Sequence, residues 1–119
     1  MKTNKPINKY GVKVGDIFHS QFGYNMILHN FYQVTAIEGN TKIALQELKT
    51  RVTNHDGYGQ MGHLVVCPNE FEDRANPIHR MTKICPWNNK VEIKIGTYEH
   101  AELMTMDEWD EEFYFDYMD

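Results

Sequence analysis

The residue types best suited to chemistry in this chain are six histidines and two cysteines, and five of these eight fall within 31 residues. The five are His55, His63, Cys67, His79 and Cys85. Structural zinc sites take their ligands in close pairs, only a few residues apart. Only His63 and Cys67 approach that spacing, and they fall on a predicted strand, where residues i and i+4 lie ~13 Å apart. The spacing therefore argues against a metal site, and we expect neither a metal nor another cofactor.

Candidates for nucleophilic or acid–base catalysis lack supporting neighbours. Cys67 and Cys85 each precede a proline, and neither carries the local sequence of a catalytic cysteine. The carboxylates of Glu70, Glu72 and Asp73 belong to a turn-rich, solvated segment. The three glycines in residues 57–62 are not followed by the lysine and helix start of a phosphate-binding loop. The sequence therefore predicts that the protein is not an enzyme.

The strongest chemical feature is a concentration of carboxylates near the C-terminal end. Residues 95–119 contain nine of the 17 acidic residues and no Lys or Arg, whereas residues 1–94 contain all 12 Lys and Arg. Such a segment repels nucleic-acid phosphates and attracts basic surfaces. The candidate partner-binding residues are Asp107, Glu108, Asp110, Glu111, Glu112 and Asp116. The alternative is a solvated face that only aids solubility.

A second candidate surface is a polar loop in the middle of the chain. Residues 53–62 combine three glycines with Asn and Asp, a composition typical of an exposed loop. Its candidate binding residues are Asn54, His55, Asp56 and Tyr58. This loop is the place to search if the acidic residues prove to be only solubilising.

The elements that must position these residues are mostly short strands. Residues 1–10 have no apolar periodicity and form a loose lead-in, and a β core is expected over residues 11–95. Strands are predicted at residues 17–20, 31–37, 42–48, 63–67, 80–84 and 90–95. The second and third of these form the clearest hairpin, because Glu38, Gly39, Asn40 and Thr41 suit a tight turn. The pattern predicts a mainly β (α+β) fold, a small antiparallel barrel or curved sheet of five to six short strands.

The C-terminal segment is predicted to form one amphipathic acidic helix over residues 105–118. Thr105 and Glu108 have the spacing of a capping box. The apolar residues that follow have helical spacing, and they are Met106, Trp109, Phe113 and Tyr117. The competing interpretation is a strand at residues 112–117, because aromatic residues favour β structure.

Length and hydropathy restrict the setting in which this fold works. The 119 residues suit one domain, residues 1–119, with a core that needs no disulfide. No run of 18 apolar residues occurs, and no apolar segment follows the N-terminal lysines. We therefore expect no membrane span and no secretion signal, and we predict a cytoplasmic location.

Nucleic-acid binding is an alternative function for a small β protein. Tyr24, Phe31 and Tyr32 with Lys42, Lys49 and Arg51 are the candidate residues for a stacking platform. The basic excess of residues 1–94 is small, and the acidic end opposes phosphates, so direct nucleic-acid binding is disfavoured. A further alternative is a protein that sequesters a nucleotide signal in a pocket between protomers.

Two ordered blocks of the sequence carry a family resemblance. The first contains Gly15-Asp16-Ile17-Phe18, then Gly23-Tyr24-Asn25, then Phe31-Tyr32-Gln33-Val34, and the second runs from Gly62 through Pro68 towards Lys83. Over about residues 11–95, these blocks resemble a family of small phage and mobile-element proteins of unknown function. The resemblance implies a compact β-rich fold and contributes no catalytic residues.

The resemblance and the acidic terminus together suggest a function. We expect a non-enzymatic accessory protein of phage or mobile-element origin that binds and inhibits a host nucleic-acid-handling defence protein. Such a protein would be anti-CRISPR-like, with a CRISPR effector as one possible partner in the host cytoplasm. A basic nucleic-acid groove on that partner would attract the acidic surface.

Overall fold

The computed structural model describes residues 10–22, 28–55, 61–73, 76–96 and 99–116. Within these ranges the chain forms nine β-strands and one short 3-10 helix, Met106–Asp110. The strands are β1 (Ile17–Phe22), β2 (Leu28–Ile37), β3 (Lys42–His55), β4 (Met61–Phe71), β5 (Ile78–Met81), β6 (Lys83–Ile84), β7 (Val91–Lys94), β8 (His100–Leu103) and β9 (Phe113–Asp116). No helix in these ranges has the length and apolar character needed to cross a membrane.

The strands form one antiparallel, curled sheet, which confirms the expectation of a mainly β fold with a curved sheet. Its order is β6-β7-β8-β1-β2-β3-β4-β9, and β5 pairs with β3 beside this path. A single residue, Thr82, separates β5 from β6, yet β6 pairs with β7 rather than with β3. The continuous segment of β5 and β6 therefore links β3 to β7. Arg80 of β5 strengthens this link by donating hydrogen bonds to the carbonyls of Lys94 and Ile95.

β3 has 14 residues and serves two parts of the sheet. Its first half pairs with β2 and β5, and its second half pairs with β4. The β3–β4 register shifts between Leu48 and Thr50, where the partner strand skips from Phe71 to Val66. Pro68 lies in this irregular stretch, which suits a residue that cannot donate to a regular ladder. The predicted hairpin is confirmed by β2 and β3, while β4 continues past the proline at which the sequence predicted its end.

Adjacent residues of β1 and β2 are buried on opposite faces of the sheet, because side chains alternate along a strand. The first cluster contains Phe18, Tyr32, Val34, Ile43, Leu45, Val91 and Ile93, with Val12 and Ala101. The second cluster contains Ile17, Phe31, Leu48, Leu64, Val66, Met104 and Phe115. Val91 and Ile93, alternate residues of the strand predicted at residues 90–95, are both buried in the first cluster. β4, β9 and the 3-10 helix supply the second layer that covers the other face.

The predicted helix over residues 105–118 is wrong. The capping box of Thr105 and Glu108 is present, but it starts a 3-10 helix that ends at Asp110. Residues 113–116 form β9, paired with Met61–Leu64 of β4, so the competing strand interpretation is correct there. Pairing with β4 buries Phe115 and satisfies the backbone along an available strand edge, and this outweighs helical spacing. Tyr117 lies outside the described residues. The strand number also differs, because the expectation was five to six.

Candidate functional site

The acidic segment, residues 107–112, is held at both ends by the fold. Before it, the Met104 N–H donates to the Ile17 carbonyl at 2.8 Å, and the Met104 side chain is buried in the second cluster. At its start, the Thr105 N–H donates to Oε1 of Glu108 at 2.8 Å. The Trp109 ring packs against the second cluster. The carboxylates are therefore presented on an ordered backbone rather than on a free tail.

The structure brings five of the six predicted partner-binding acids together. Asp107, Asp110, Glu111 and Glu112 are exposed and Glu108 is half-buried. Among the described residues, the ion pairs of the protein involve none of these five. Glu112 accepts a hydrogen bond from the Thr53 hydroxyl at 3.0 Å. The sixth acid, Asp116, lies in β9 opposite Met61, and its side chain is outside the described structure.

The second predicted surface is only partly described. Asn54 belongs to β3 rather than to a loop, and its Oδ1 lies 2.9 Å from Nδ1 of His63. His55 ends β3 opposite Gly62. Asp56 and Tyr58 lie outside the described residues. What the structure shows here is a cross-strand contact between β3 and β4.

The cysteines and the described aromatic residues of the predicted stacking platform are buried or half-buried. Cys85 is buried and Cys67 half-buried, both as free thiols, and burial raises the pKa of Cys67. Phe31 and Tyr32 are 0% and 7% exposed, so they belong to the core and cannot form a nucleic-acid platform; Tyr24 lies outside the described residues. In the described part of the chain, no three His, Cys, Asp or Glu residues are grouped so as to hold a metal ion.

A pair of histidines forms a hydrogen-bonded chain between the two layers. Nε2 of His29 lies 2.6 Å from the carbonyl oxygen of Tyr114, and Nδ1 of His29 lies 2.8 Å from Nε2 of His19. Since a carbonyl only accepts, His29 donates from Nε2, and Nδ1 of the neutral His29 ring then accepts from Nε2 of His19. The His19 ring also stacks with the rings of His29 and Phe31, and the Phe113 ring is tilted against it. This chain connects β1 and β2 to β9.

The environment of the histidine pair favours the neutral rings. Burial and the neighbouring His29 lower the pKa of His19 from 6.5 to about 4, against an opposing effect of Glu108. Burial also lowers the pKa of His29. Both rings are therefore neutral near pH 7.

A small polar group closes one end of the first cluster. The Tyr32 hydroxyl and the Asn30 amide both donate to Oε2 of Glu99, at 3.2 Å and 3.4 Å. Burial and the charges of Glu99 and Glu47 raise the pKa of Tyr32, which keeps the hydroxyl a donor. The arrangement ties the segment before β8 to β2, which is a structural role.

The turn between β6 and β7 presents the most exposed large apolar side chain of the described protein, Trp87, at 91% exposure. The Asn89 N–H donates to the Cys85 carbonyl at 2.9 Å, and the Cys85 N–H donates to the Lys90 carbonyl at 2.8 Å. Asn89 has a φ of 60°, a value that Asn tolerates better than most residues. From the sequence, residues 85–89 are only the connection between two predicted strands, and this exposed surface was not predicted. A tryptophan among Pro and Asn was the available signal.

Comparison with known proteins gives no match: no family model, no curated protein and no solved structure is similar to this chain.

Proposed function

We propose that this protein binds a basic surface of another protein through its acidic segment and acts without catalysing a reaction. The observation that carries the proposal is the ordered presentation of five carboxylates in residues 107–112 with no cation paired to them among the described residues. Like charges placed this closely repel one another, so a partner's cations would relieve a repulsion that the free protein carries.

The charge distribution of the whole chain supports a protein partner over a nucleic acid. Residues 95–119 carry nine acids and no Lys or Arg, so the negative potential is concentrated near one segment. Such a potential accelerates encounter with a basic groove and repels phosphates. A groove that normally binds nucleic acid is the basic surface best suited to a row of fixed carboxylates.

The specific target that we propose is a host nucleic-acid-handling defence protein, such as a CRISPR effector, which the protein would inhibit by occupying its groove. This target class is the expectation drawn from the resemblance of residues 11–95 to small phage and mobile-element proteins, which no family model reproduces. Inhibition would then be competitive with the nucleic acid that the groove binds.

The proposal is tested by removing charge from the acidic segment. The variant combines Asp110→Ser, Glu111→Ser and Glu112→Ser, and the control removes three exposed acids at and just after the end of β4 instead, with Glu70→Ser, Glu72→Ser and Asp73→Ser. Candidate partners are RNA-guided nucleases, purified with their guides, and proteins captured from nuclease-treated host lysate. Binding of each is then measured at low and at high salt.

We expect the acidic-segment variant to lose affinity by about tenfold or more and to show weaker salt dependence, because charge pairs across an interface govern both. The control should bind as the unmodified protein does. Both variants should keep the melting temperature, because exposed charges contribute little to stability. Equal affinity of the two variants would show that residues 110–112 are not the binding surface.

A further inference from the structure

Glu47 and Glu99 place two half-buried carboxylates at the same end of the first cluster. Oε2 of Glu99 accepts from both the Tyr32 hydroxyl and the Asn30 amide. Glu47 lies directly opposite Tyr32 in the β2–β3 ladder, so its side chain extends from the same face of the sheet. The ion pairs of the described residues include neither carboxylate. Since partly buried charges are normally paired, these two carry an uncompensated desolvation cost.

A third carboxylate, that of Glu72, adds to the same negative field. The Glu72 N–H donates to the Glu47 carbonyl at 3.0 Å, and the Glu72 side chain is exposed. Burial and the charges of Glu72 and Glu99 raise the pKa of Glu47. Lys49, two residues after Glu47, contacts Asp73 instead, at 3.4 Å. The three carboxylates therefore repel one another, and a cation placed between them would relieve the repulsion.

A buried hydroxyl without a partner faces the same place. Ser20 is 0% exposed, and its Oγ is shielded from solvent and has no hydrogen-bond partner among the described residues. Ser20 lies directly opposite Asn30 in the β1–β2 ladder, so these two side chains share a face of the sheet. Since side chains alternate along a strand, Tyr32 shares that face with Asn30. The hydroxyl is therefore next to the Asn30 side chain, which contacts Glu99.

We propose that this end of the first cluster is a binding site for the ammonium group of an aliphatic diamine or polyamine. An ammonium carries three N–H donors, and Glu47, Glu99 and Ser20 offer oxygen acceptors for them. The ammonium reaches the shielded Ser20 hydroxyl once the Asn30 side chain, held to Glu99 by a long 3.4 Å contact, moves aside. A second ammonium of the same ligand meets the exposed carboxylate of Glu72.

The chemistry of the site favours an ammonium over other cations. In the described part of the chain, these carboxylates do not form a group of three that could hold a metal ion. A guanidinium presents its donors in one rigid plane, whereas an ammonium is a compact charge whose donors point in three directions. That geometry suits acceptors that come from β1, from β3 and from the segment before β8.

Titration of the isotope-labelled protein, followed by nuclear magnetic resonance, tests the proposal. The probes are 1,4-diaminobutane, its fully N-methylated analogue, which keeps both charges but has no N–H donor, and calcium chloride. We expect 1,4-diaminobutane to shift the amide signals of Asn30, Tyr32 and Glu47 saturably. The methylated analogue should bind at least about tenfold more weakly, because it cannot make charge-assisted hydrogen bonds.

Equal binding of the two amines overturns the proposal in favour of unspecific charge attraction, and tighter binding of calcium overturns it in favour of a metal site. The variant that lacks the charges at residues 110–112 should give the same shifts and affinity as the unmodified protein. Loss of diamine binding in that variant would place the amine on the acidic segment and overturn the proposal. The site is independent of the proposed function, since none of its residues belongs to residues 107–112.

Three substitutions then test the individual acceptors. Glu47→Gln should weaken diamine binding about tenfold or more, because a charged acceptor bonds more strongly than a neutral one. It should not lower the melting temperature, because it removes an uncompensated charge. Ser20→Ala should weaken binding about threefold, as expected for one neutral hydrogen bond. The control Glu70→Gln, at an exposed position of β4, should bind as the unmodified protein does. Unchanged affinity in either Glu47→Gln or Ser20→Ala overturns the proposal.

Discussion

At the scale of single residues, the Gln33 side chain forms hydrogen bonds with two backbone segments that are far apart in the chain. One is the turn at Gly15 and the other is the irregular stretch of β4 at Asn69. Gln33 is 2% exposed, its amide donates to the Gly15 carbonyl at 2.9 Å, and its Oε1 accepts from the Asn69 N–H at 3.0 Å. Gly15 and Asn69 have φ values of 99° and 66°, so both segments contain a residue with the positive φ that most residues rarely adopt. A buried amide that satisfies two backbone groups is a strong constraint on this region.

We expect Gln33→Leu to lower the free energy of unfolding by about 1–3 kcal/mol, because it removes both hydrogen bonds that the buried amide makes to the backbone. Gln21→Leu is the matched control, since Gln21 is exposed on β1, and it should change stability by less than about 0.5 kcal/mol. Urea unfolding measures both variants. A cost for Gln33→Leu no larger than that of the control would show that the amide is dispensable.

Trp109 illustrates the opposite case, a buried polar atom without a partner. Its Nε1 is shielded from solvent and has no hydrogen-bond partner among the described residues. We expect Trp109→Phe to change stability by less than about 1 kcal/mol, because the loss of ring area is offset by removal of an unsatisfied donor. A melting curve of this variant measures the effect, and a large loss would mean that the indole N–H has a partner in solution.

At the scale of elements, the histidine pair decides how firmly β9 is attached to β2. The Tyr114 carbonyl accepts from His29, and the rings of His19, His29 and Phe113 pack together. The charge of Glu108 raises the pKa of His19 and so partly offsets the effect of burial. Glu102 of β8 is the cross-strand neighbour of His19. Protonation of both rings would set two donors, Nδ1 of His29 and Nε2 of His19, against each other and so break this contact.

The pH dependence of stability follows from the direction of these shifts. The pKa of His19 is about 4 in the folded protein against 6.5 in the unfolded chain, and that of His29 is also lowered. The unfolded chain therefore binds protons first as the pH falls, so this stabilisation is complete above pH 6.5 and is lost towards pH 4. We expect a loss on the order of 2 kcal/mol, allowing for partial solvent screening.

The measurement is urea unfolding between pH 7 and pH 4. His29→Gln keeps a donor for the Tyr114 carbonyl but does not titrate, so its stability should depend less on pH. His100→Gln, at an exposed position, is the control and should retain the full dependence. Identical pH profiles for the three proteins would assign the dependence to other groups.

At the scale of the whole molecule, the two apolar clusters share strands and cannot separate. Ile17 and Phe18 are adjacent in β1, yet they belong to different clusters, as do Phe31 and Tyr32 in β2. Loss of either cluster would expose one face of the strands that carry the other.

We therefore expect cooperative, two-state unfolding, in which far-UV circular dichroism and tryptophan fluorescence change together. Ile93→Ala in the first cluster and Phe115→Ala in the second should each lower the free energy of unfolding by about 2–5 kcal/mol. The midpoint should fall equally for both signals. Two separated transitions in either variant would show that the layers unfold independently.

Metal plays no part in the stability that we expect. The described histidines and cysteines form no group of metal ligands. Removal of a structural metal by a chelator lowers the melting temperature, because such a metal contributes directly to folding energy. Since we expect no structural metal, treatment with a chelator should leave the melting temperature unchanged. Stoichiometric zinc in the purified protein would contradict this expectation.

The sequence by itself determined the β character, the β2–β3 hairpin and the strand that contains Val91 and Ile93. Each of these follows from the alternation of nearby residues and from turn chemistry, which are local. The concentration of carboxylates in residues 107–112 was also legible, because composition does not depend on the fold. The capping box was legible for the same reason, although it could not reveal where the helix ends.

Only the tertiary structure decided which distant residues meet. The aromatics at Phe113 and Phe115 suit either a helix or a strand, and the free edge of β4, about fifty residues earlier in the chain, selects the strand. The meeting of His19, His29 and Tyr114 depends on how β9 lies over β2, and the exposure of Trp87 depends on where the β6–β7 turn points. These outcomes arise from pairing and packing between remote segments, which local periodicity does not encode.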